Sequence, residues 1–241
     1  MKDNIKHYDA EYIRELFNRM STSYERVNFI TSFGFSLRWR REFVIKAGKS
    51  HQKLQIIDLL TGMGESWHPI KKNFPNAQLT ALDFSEGMLH HCRQRNKRLY
   101  NGQVTVTNQD ILCNNLTSNS FDYIFCSFGL KTFNNEQLLR FAKEILRILK
   151  PGGKFHFIEI SLPENKALQY LLKVYLKQAI PLLGRILLGN PREYRMLSEY
   201  TETFKNAKEA LNIFGNVGLI VEYDSYFHGC ATGVHGYKQV T

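Results

Sequence analysis

An apolar run from Leu54 to Leu60 leads directly into Thr61-Gly62-Met63-Gly64-Glu65. Two glycines flanking one residue let a turn of backbone approach a bound group closely and open a helix whose free N–H groups face it. About 20 residues further on, the run Gln78 to Leu82 ends in Asp83-Phe84-Ser85. An acid at that place can accept hydrogen bonds from both ribose hydroxyls of an adenosine. Taken alone it would serve equally well as a helix N-cap. The run Gln103 to Thr107 is followed by Asn108-Gln109-Asp110-Ile111, a polar acceptor beside an apolar wall, which suits an adenine ring. The run Phe121 to Cys126 leads into Ser127-Phe128-Gly129-Leu130-Lys131-Thr132. If all four ends lie on one edge, they converge on an adenosine-type ligand.

The intervening segments supply the means of convergence. Amphipathic stretches near 65–74, 86–99 and 135–149 alternate with the apolar runs, and a fifth run follows from Lys154 to Ile160. Continuous apolar strands separated by helices predict a parallel sheet covered on both faces, in a doubly wound α/β order. Lys150-Pro151-Gly152-Gly153 predicts a sharp helix stop. The first 50 residues read as helical, broken at Ser32 to Gly34. Residues 164–180 carry apolar side chains at the spacing of one helix face, and a further helical stretch is expected over about 192–214. Leu219 to Tyr226 and Cys230 to Lys238 predict an antiparallel hairpin at the sheet edge. The expected unit is a single domain over 1–241, with a helical cap at 1–50 and a helical insert at 164–214 forming a lid over the strand ends.

With 241 residues, 43% hydrophobic and 22% charged, the chain has the balance of a globular protein and not of a disordered one. The four cysteines, Cys92, Cys113, Cys126 and Cys230, form no CxxC pair or zinc spacing, so no metal is expected. The N-terminus lacks the apolar core of a signal peptide, and a cytoplasmic setting follows. Ala167 to Gly189 is interrupted by Lys173, Lys177, Pro181 and Arg185, which argues against a spanning helix. The formal charge of +10 raises nucleic acid or an anionic surface. His90 to Arg98 is basic but reads as a solvated helix face, and no nucleic-acid motif surrounds it. Basic residues flanking apolar ones around Trp39 and Lys173 leave a peripheral membrane contact open, as they leave a homodimer.

The set of segments resembles a class I S-adenosylmethionine-dependent methyltransferase, and more narrowly the UbiE/COQ5 (MenG) family, which C-methylates ubiquinol and menaquinol precursors. The resemblance covers nearly the whole chain. It includes Phe17-Asn18-Arg19-Met20, Tyr24 to Asn28, Trp39-Arg40, Asp58 to Glu65, Asp83 to Leu89, Ser127 to Leu130, Leu149 to Gly153, Tyr194-Arg195 and Thr232 to Lys238. It implies a seven-stranded Rossmann-like sheet, with S-adenosylmethionine as cofactor and S-adenosylhomocysteine as product. It also implies a small-molecule acceptor of aromatic or quinol type. The implied cofactor-binding residues are Tyr24, Thr61, Gly62, Met63, Gly64, Asp83, Phe84, Met88, Asp110, Ile111, Ser127 and Phe128. The implied acceptor-side residues are Asn28, Trp39, Thr132, Tyr175, Tyr194, Arg195 and His235.

Departures from the family pattern fall mostly on the acceptor side. Thr61 replaces a loop glycine, Lys131-Thr132 replaces Arg-Asn, and Lys173 replaces an acid. Lys131 is the candidate catalytic cation, placed to stabilise a phenolate. These changes leave N- or O-methylation of another acceptor open, and the altered loop leaves open a non-catalytic adenosyl-binding protein.

Overall fold

The computed structural model describes residues 8–22, 32, 34–180 and 191–240. Two helices, α1 (Ala10–Met20) and α2 (Phe35–Lys46), precede the sheet. Then follow β1 (Gln55–Leu59), α3 (Trp67–Asn73), β2 (Gln78–Asp83), α4 (Glu86–Tyr100), β3 (Thr105–Asn108) and β4 (Phe121–Ser127). Next come α5 (Asn135–Ile148) and β5 (Leu149–Ile160). The insert comprises α6 (Lys166–Val174), a π-turn at Tyr175–Ala179 and α7 (Pro191–Phe204). The chain closes with α8 (Lys208–Asn216), β6 (Leu219–Tyr226) and β7 (Ala231–Lys238).

The seven strands lie in the order β3-β2-β1-β4-β5-β7-β6. The first five are parallel, and β7 runs antiparallel to both β5 and β6. The order reverses between β1 and β4, and the carboxyl ends on either side of that switch form the crevice in which open α/β sheets bind ligands. The hairpin does form the sheet edge, but β7 inserts inside and β6 is outermost.

Two apolar cores hold the layers. One packs Phe141, Ile145 and Phe214 from α5 and α8 against Phe155 and Phe157. The other packs Phe43 and Val44 of α2 with Trp67 and Phe74 against Ile56, Phe125 and Ile158. Parallel strands covered on both faces must be apolar throughout, which is why β1 reads as an almost continuous hydrophobic run.

Two expectations need correction. The stretch 192–214 is two helices, because Lys205 adopts φ 59° between them. That break is held from outside: the Lys205 carbonyl accepts from the Leu162 N–H at 2.6 Å, and the Ala207 N–H donates to Thr232 Oγ1 at 2.9 Å. Lys150-Pro151-Gly152-Gly153 ends α5 as expected, but it lies within β5 as a register shift against β4.

Candidate active site

The strand ends of β1, β2, β3 and β4 open into one cleft of about 780 Å³, mouth included. Its floor is Leu60-Thr61-Gly62, Asp83-Phe84, Asp110-Ile111 and Ser127-Phe128-Gly129. Ala10, Ile13 and Phe17 of α1 lean over it, and Arg40 of α2 enters from the side.

Asp83 is buried at the end of β2. Its Oδ2 accepts from the Gly62 N–H at 2.8 Å and its Oδ1 from the Ser85 N–H at 2.9 Å. Burial raises its pKa, while those backbone donors pull it down. Each oxygen keeps a second lone pair for a ligand hydroxyl. Asp110 is held similarly, its Oδ1 accepting from the Leu112 N–H at 2.8 Å with Ile111 beside it. Ser127 Oγ is 2.8 Å from Ser66 Oγ.

The loop after β1 resolves the question raised by Thr61. Left-handed backbone falls on Gly62 (φ 57°) and Gly64 (φ 79°), and not on Thr61. A Cβ at Gly64 would lie 2.8 Å from the Trp67 indole, so that glycine is required for packing. Thr61 replaces a glycine at a position where a side chain fits, and it is used. Its hydroxyl donates to Asp58 Oδ2 at 2.5 Å and accepts from Trp67 Nε1 at 2.9 Å. Asp58 is fully buried, its Oδ1 has no partner, and its pKa is raised to about 7, first by burial. Glu65 and Asp83 add to that shift and Arg40 opposes it.

Leu60 (φ 51°) and Phe128 (φ 64°) both sit in left-handed backbone where β1 and β4 meet the cleft. Such strain in non-glycine residues persists where the surroundings over-determine it, commonly at ligand sites. At Phe128 the restraint is visible. Lys131 Nζ donates to the Phe128 carbonyl at 2.8 Å and to Glu159 Oε1 at 2.7 Å.

That geometry corrects the catalytic assignment of Lys131. Its ammonium is turned away from the cleft into an ion pair with Glu159, whose side chain is 0% exposed. A cation consumed there is not presented to a phenolate. Thr132 does line the cleft, with its hydroxyl donating to the Gly129 carbonyl at 2.7 Å.

Other expected residues divide. Thr61, Gly62, Asp83, Phe84, Met88, Asp110, Ile111, Ser127 and Phe128 are brought together in the cleft walls. Met63 and Gly64 are not walls. Met63 is buried with Leu16, Met20, Met88 and Tyr200, where it ties the loop to α1 and α7. Trp39 lies behind the cleft, its ring 6.5 Å from that of Phe128 in an edge contact. His235 is on the sheet face that α2 covers. Its ring stacks on His156 at 5.4 Å, and its Nδ1 is 2.9 Å from Asp224 Oδ2. Lys46 of α2 also binds that Asp224, so His235 belongs to a half-exposed strut between the hairpin and α2 and not to the mouth. Tyr175 is half-buried in the π-turn and does not line the cleft. Tyr24 and Asn28 lie outside the described residues. Tyr194 and Arg195 fall in α7, with side chains outside the description.

Sequence reasoning missed Arg40, Glu65 and Asn18 as site residues. Arg40 and Glu65 are both buried, 3.7 Å apart, and although both lie in segments that carry the resemblance, their pairing was not legible because their elements are separated by all of β1. Asn18 Oδ1 accepts from Ser85 Oγ at 2.7 Å and from the Gly87 N–H at 2.9 Å, docking α1 onto the start of α4. A Cβ on Gly87 would lie 2.8 Å from Ser21 Oγ and 3.1 Å from Asn18 Cα, so glycine permits that approach. Asn18 lies in the quoted Phe17 to Met20 segment, and the Asn-Ser-Gly match across two helices was the available signal.

The cleft chemistry is anionic within a basic chain. Asp83, Asp110 and Glu65 face it, Asp58 lies behind, and Arg40 is the cation in its walls among the described residues. Such a site favours a cationic ligand bearing hydroxyl and amine donors, as a sulfonium-carrying adenosyl amino acid does.

Comparison with known proteins agrees. The model of the ubiE/COQ5 methyltransferase family matches residues 5–238. A demethylmenaquinone methyltransferase of Lactococcus lactis subsp. lactis is 30% identical over 92% of this chain and 87% of its own length. One of Staphylococcus aureus is 30% identical over 96% and 95% respectively. Among solved structures, an S-adenosylmethionine-dependent methyltransferase of Thermotoga maritima superposes with TM-score 0.63 at 17% identity, covering 93% of this chain and 99% of that one. Phosphoethanolamine N-methyltransferase 2 of Haemonchus contortus, bound to S-adenosylmethionine, gives 0.61 at 16% identity, covering 91% and 60%. These two show the shared fold. With the family match running almost end to end over a cleft of this chemistry, the chain belongs to the ubiE/COQ5 methyltransferase family and is an S-adenosylmethionine-dependent enzyme.

Proposed function

We propose that the chain methylates a ring carbon of a reduced, demethylmenaquinone-type quinol. Two of its relatives carry that acceptor in their names. The observation that carries the reading here is the cleft wall. Ile13, Phe17, Phe84, Phe128 and Phe133 line the cleft alongside its polar groups. Aromatic and aliphatic walls suit a flat, electron-rich ring and keep water from it.

The cofactor supplies a methyl group activated by a positive sulfur. The chain's task is to hold, align and dry the reactants. Asp83 would take the ribose hydroxyls, Asp110 and Ile111 the adenine, and Thr61-Gly62 with Ser127 the amino-acid end. Residues 1–50 and 164–214 would form the closing cap and insert of one methyltransferase unit, with Tyr24 on the cofactor side and Asn28, Tyr175, Tyr194 and Arg195 on the acceptor side. A reduced ring is required because a quinol hydroxyl, on losing its proton, pushes electrons to the neighbouring carbon, whereas the oxidised quinone is electron-poor.

An acceptor with an isoprenoid tail resides in a bilayer. No helix among the described residues is long and apolar enough to cross one. On α6, however, Tyr170 and Leu171 are 69% and 63% exposed. Lys166 and Lys173 lie on the same short helix, which suits contact with an anionic surface. Sedimentation with anionic vesicles at low salt checks this contact, and protein remaining in the supernatant argues against it.

The acceptor itself is tested by supplying methyl-labelled cofactor with demethylmenaquinone, with and without a reductant. Label is expected in the quinone only under reducing conditions. Cofactor binding without transfer to either form would remove the quinol from this account.

A further inference from the structure

We propose that Arg40 is the residue that grips the α-carboxylate of the cofactor's amino-acid end. The inference rests on the cofactor reading and extends it to one specific contact.

Arg40 is a cleft wall, and its side chain is only 5% exposed. Its donors are nevertheless under-used. Nε has no hydrogen-bond partner, Nη1 makes a long 3.4 Å contact with the Ser36 carbonyl, and Nη2 stands 3.7 Å from Glu65 Oε1. That last distance is an attraction between charges and not a hydrogen bond. A guanidinium offers five N–H groups in a fixed fork and stays charged at every relevant pH. Burying one with donors unmet is costly unless an anion arrives to take them.

The fork is also aimed. Its carbon sits 4.5 Å from the centre of the Phe128 ring, which fixes the guanidinium plane beside the strained end of β4. Glu65, held by the Met63 N–H at 3.2 Å, stands next to it. One anion and one cation side by side match a zwitterion: the ligand's ammonium toward Glu65, its carboxylate toward Arg40. Neither the adenosine nor the thioether offers an anion, so the carboxylate is the group in that ligand which Arg40 can pair.

Titration calorimetry on the purified full chain separates this contact from general binding. S-adenosylhomocysteine carries the amino-acid end, whereas 5′-methylthioadenosine keeps the adenosine and sulfur without it. Arg40→Met is expected to weaken S-adenosylhomocysteine by roughly 10- to 100-fold, the worth of a charge-assisted hydrogen-bonded pair. It should leave 5′-methylthioadenosine within about twofold, since that ligand makes no contact with the changed group. Arg40→Lys should fall between wild type and Arg40→Met. Equal weakening of both ligands would overturn the proposal, making Arg40 a packing residue. No weakening of either would also overturn it and assign the cation to the acceptor. If Arg40→Met fails to fold, wild type alone decides. Decarboxylated S-adenosylmethionine, which lacks only the carboxylate, should bind more weakly than the intact cofactor by the same factor, and equal affinity overturns the proposal. Wild type that binds neither S-adenosylhomocysteine nor 5′-methylthioadenosine overturns the cofactor reading itself, and this contact with it.

Discussion

The two sides of the cleft use the same kinds of residue to opposite ends. On the β1–β2 side, Asp83 is anchored by one backbone donor on each oxygen and keeps a lone pair on each in hand, with Asp58 buried behind it. On the β4–β5 side, Lys131, Glu159 and Thr132 spend their polar groups on the protein. The first side is built to receive hydrogen-bond donors. The second is built to hold backbone in a strained shape, presenting Phe128 and leaving the wall apolar. Residue type therefore does not reveal role, and the distinction lies in whether the partner is already inside the chain.

Breaking the second side should have the largest effect. Lys131→Met leaves Glu159 buried without its counter-ion, held only by the backbone N–H groups of residue 131 and Ile160, and is expected to lower unfolding stability by about 3–5 kcal/mol, as removal of one member of a buried pair does. Denaturant titration measures it. The double change Lys131→Met with Glu159→Gln should regain much of that loss and still bind S-adenosylhomocysteine. If instead the double variant is stable but catalytically dead with cofactor affinity intact, Lys131 acts in the chemistry after all.

Breaking the first side should spare the fold and remove the ligand. Asp83→Ala loses the proposed ribose acceptor and the anchor of Gly62, and cofactor affinity should drop about 100-fold or more, given ~1.5–3 kcal/mol per charge-assisted hydrogen bond. Calorimetry reads this directly, and an affinity within a few-fold of wild type would contradict it.

Asp58 sharpens the contrast through pH. Its carboxyl titrates at about 7 in the folded chain. In the unfolded chain an ordinary aspartate titrates at about 4. The folded state thus retains a proton that the unfolded state has released. The associated stability is fully present below pH ~4 and is lost as pH rises through ~7. Asp58→Asn removes that dependence while keeping an acceptor for Thr61. The ligand-free variant should be more stable than wild type at pH 8 by ~2 kcal/mol and match it more nearly at pH 4. Thermal melts across that range test the sign, and a wild type that gains stability from pH 4 to 7 relative to the variant would refute it. His156 runs the other way: burial depresses its pKa to about 3, so its contribution is present above pH ~6.5 and fades as pH falls.

The smallest effect is expected at the cap. Asn18→Ala removes two hydrogen bonds that dock α1 on α4, at a cost of ~1–2 kcal/mol, and should speed cofactor release several-fold. Stopped-flow dissociation measures it, and an unchanged rate would mean that α1 does not close on the ligand.

Much of this was legible in the residues. β6 matches its sequence boundaries, and the strand ends carrying Asp83, Asp110 and Ser127 converge as their spacing implied. Local signals succeeded where the cause was local: apolar runs, a Pro-Gly stop, an acid at a strand end. They failed where the cause was distant. Phe204-Lys205-Asn206-Ala207 contains no glycine or proline, yet the helix breaks there because Leu162 and Thr232 hold its backbone. Lys131 looked available because Glu159 comes from the end of the neighbouring strand. His235 looked close to the mouth because nothing in the hairpin reveals that Lys46, far off in α2, binds the Asp224 that holds it. Thr61 looked like erosion of a glycine loop because the sign of φ cannot be read from a G-x-G pattern alone.

The central claim is methyl transfer to carbon of a quinol ring from a cofactor held by Asp83. It is tested most directly by carbon-13 NMR of the product formed from methyl-labelled S-adenosylmethionine and reduced demethylmenaquinone. The account predicts the label as a methyl bonded to a ring carbon, absent when Asp83→Ala replaces wild type. A label found as a methoxy carbon, or a ring methyl formed equally well by Asp83→Ala, would contradict it.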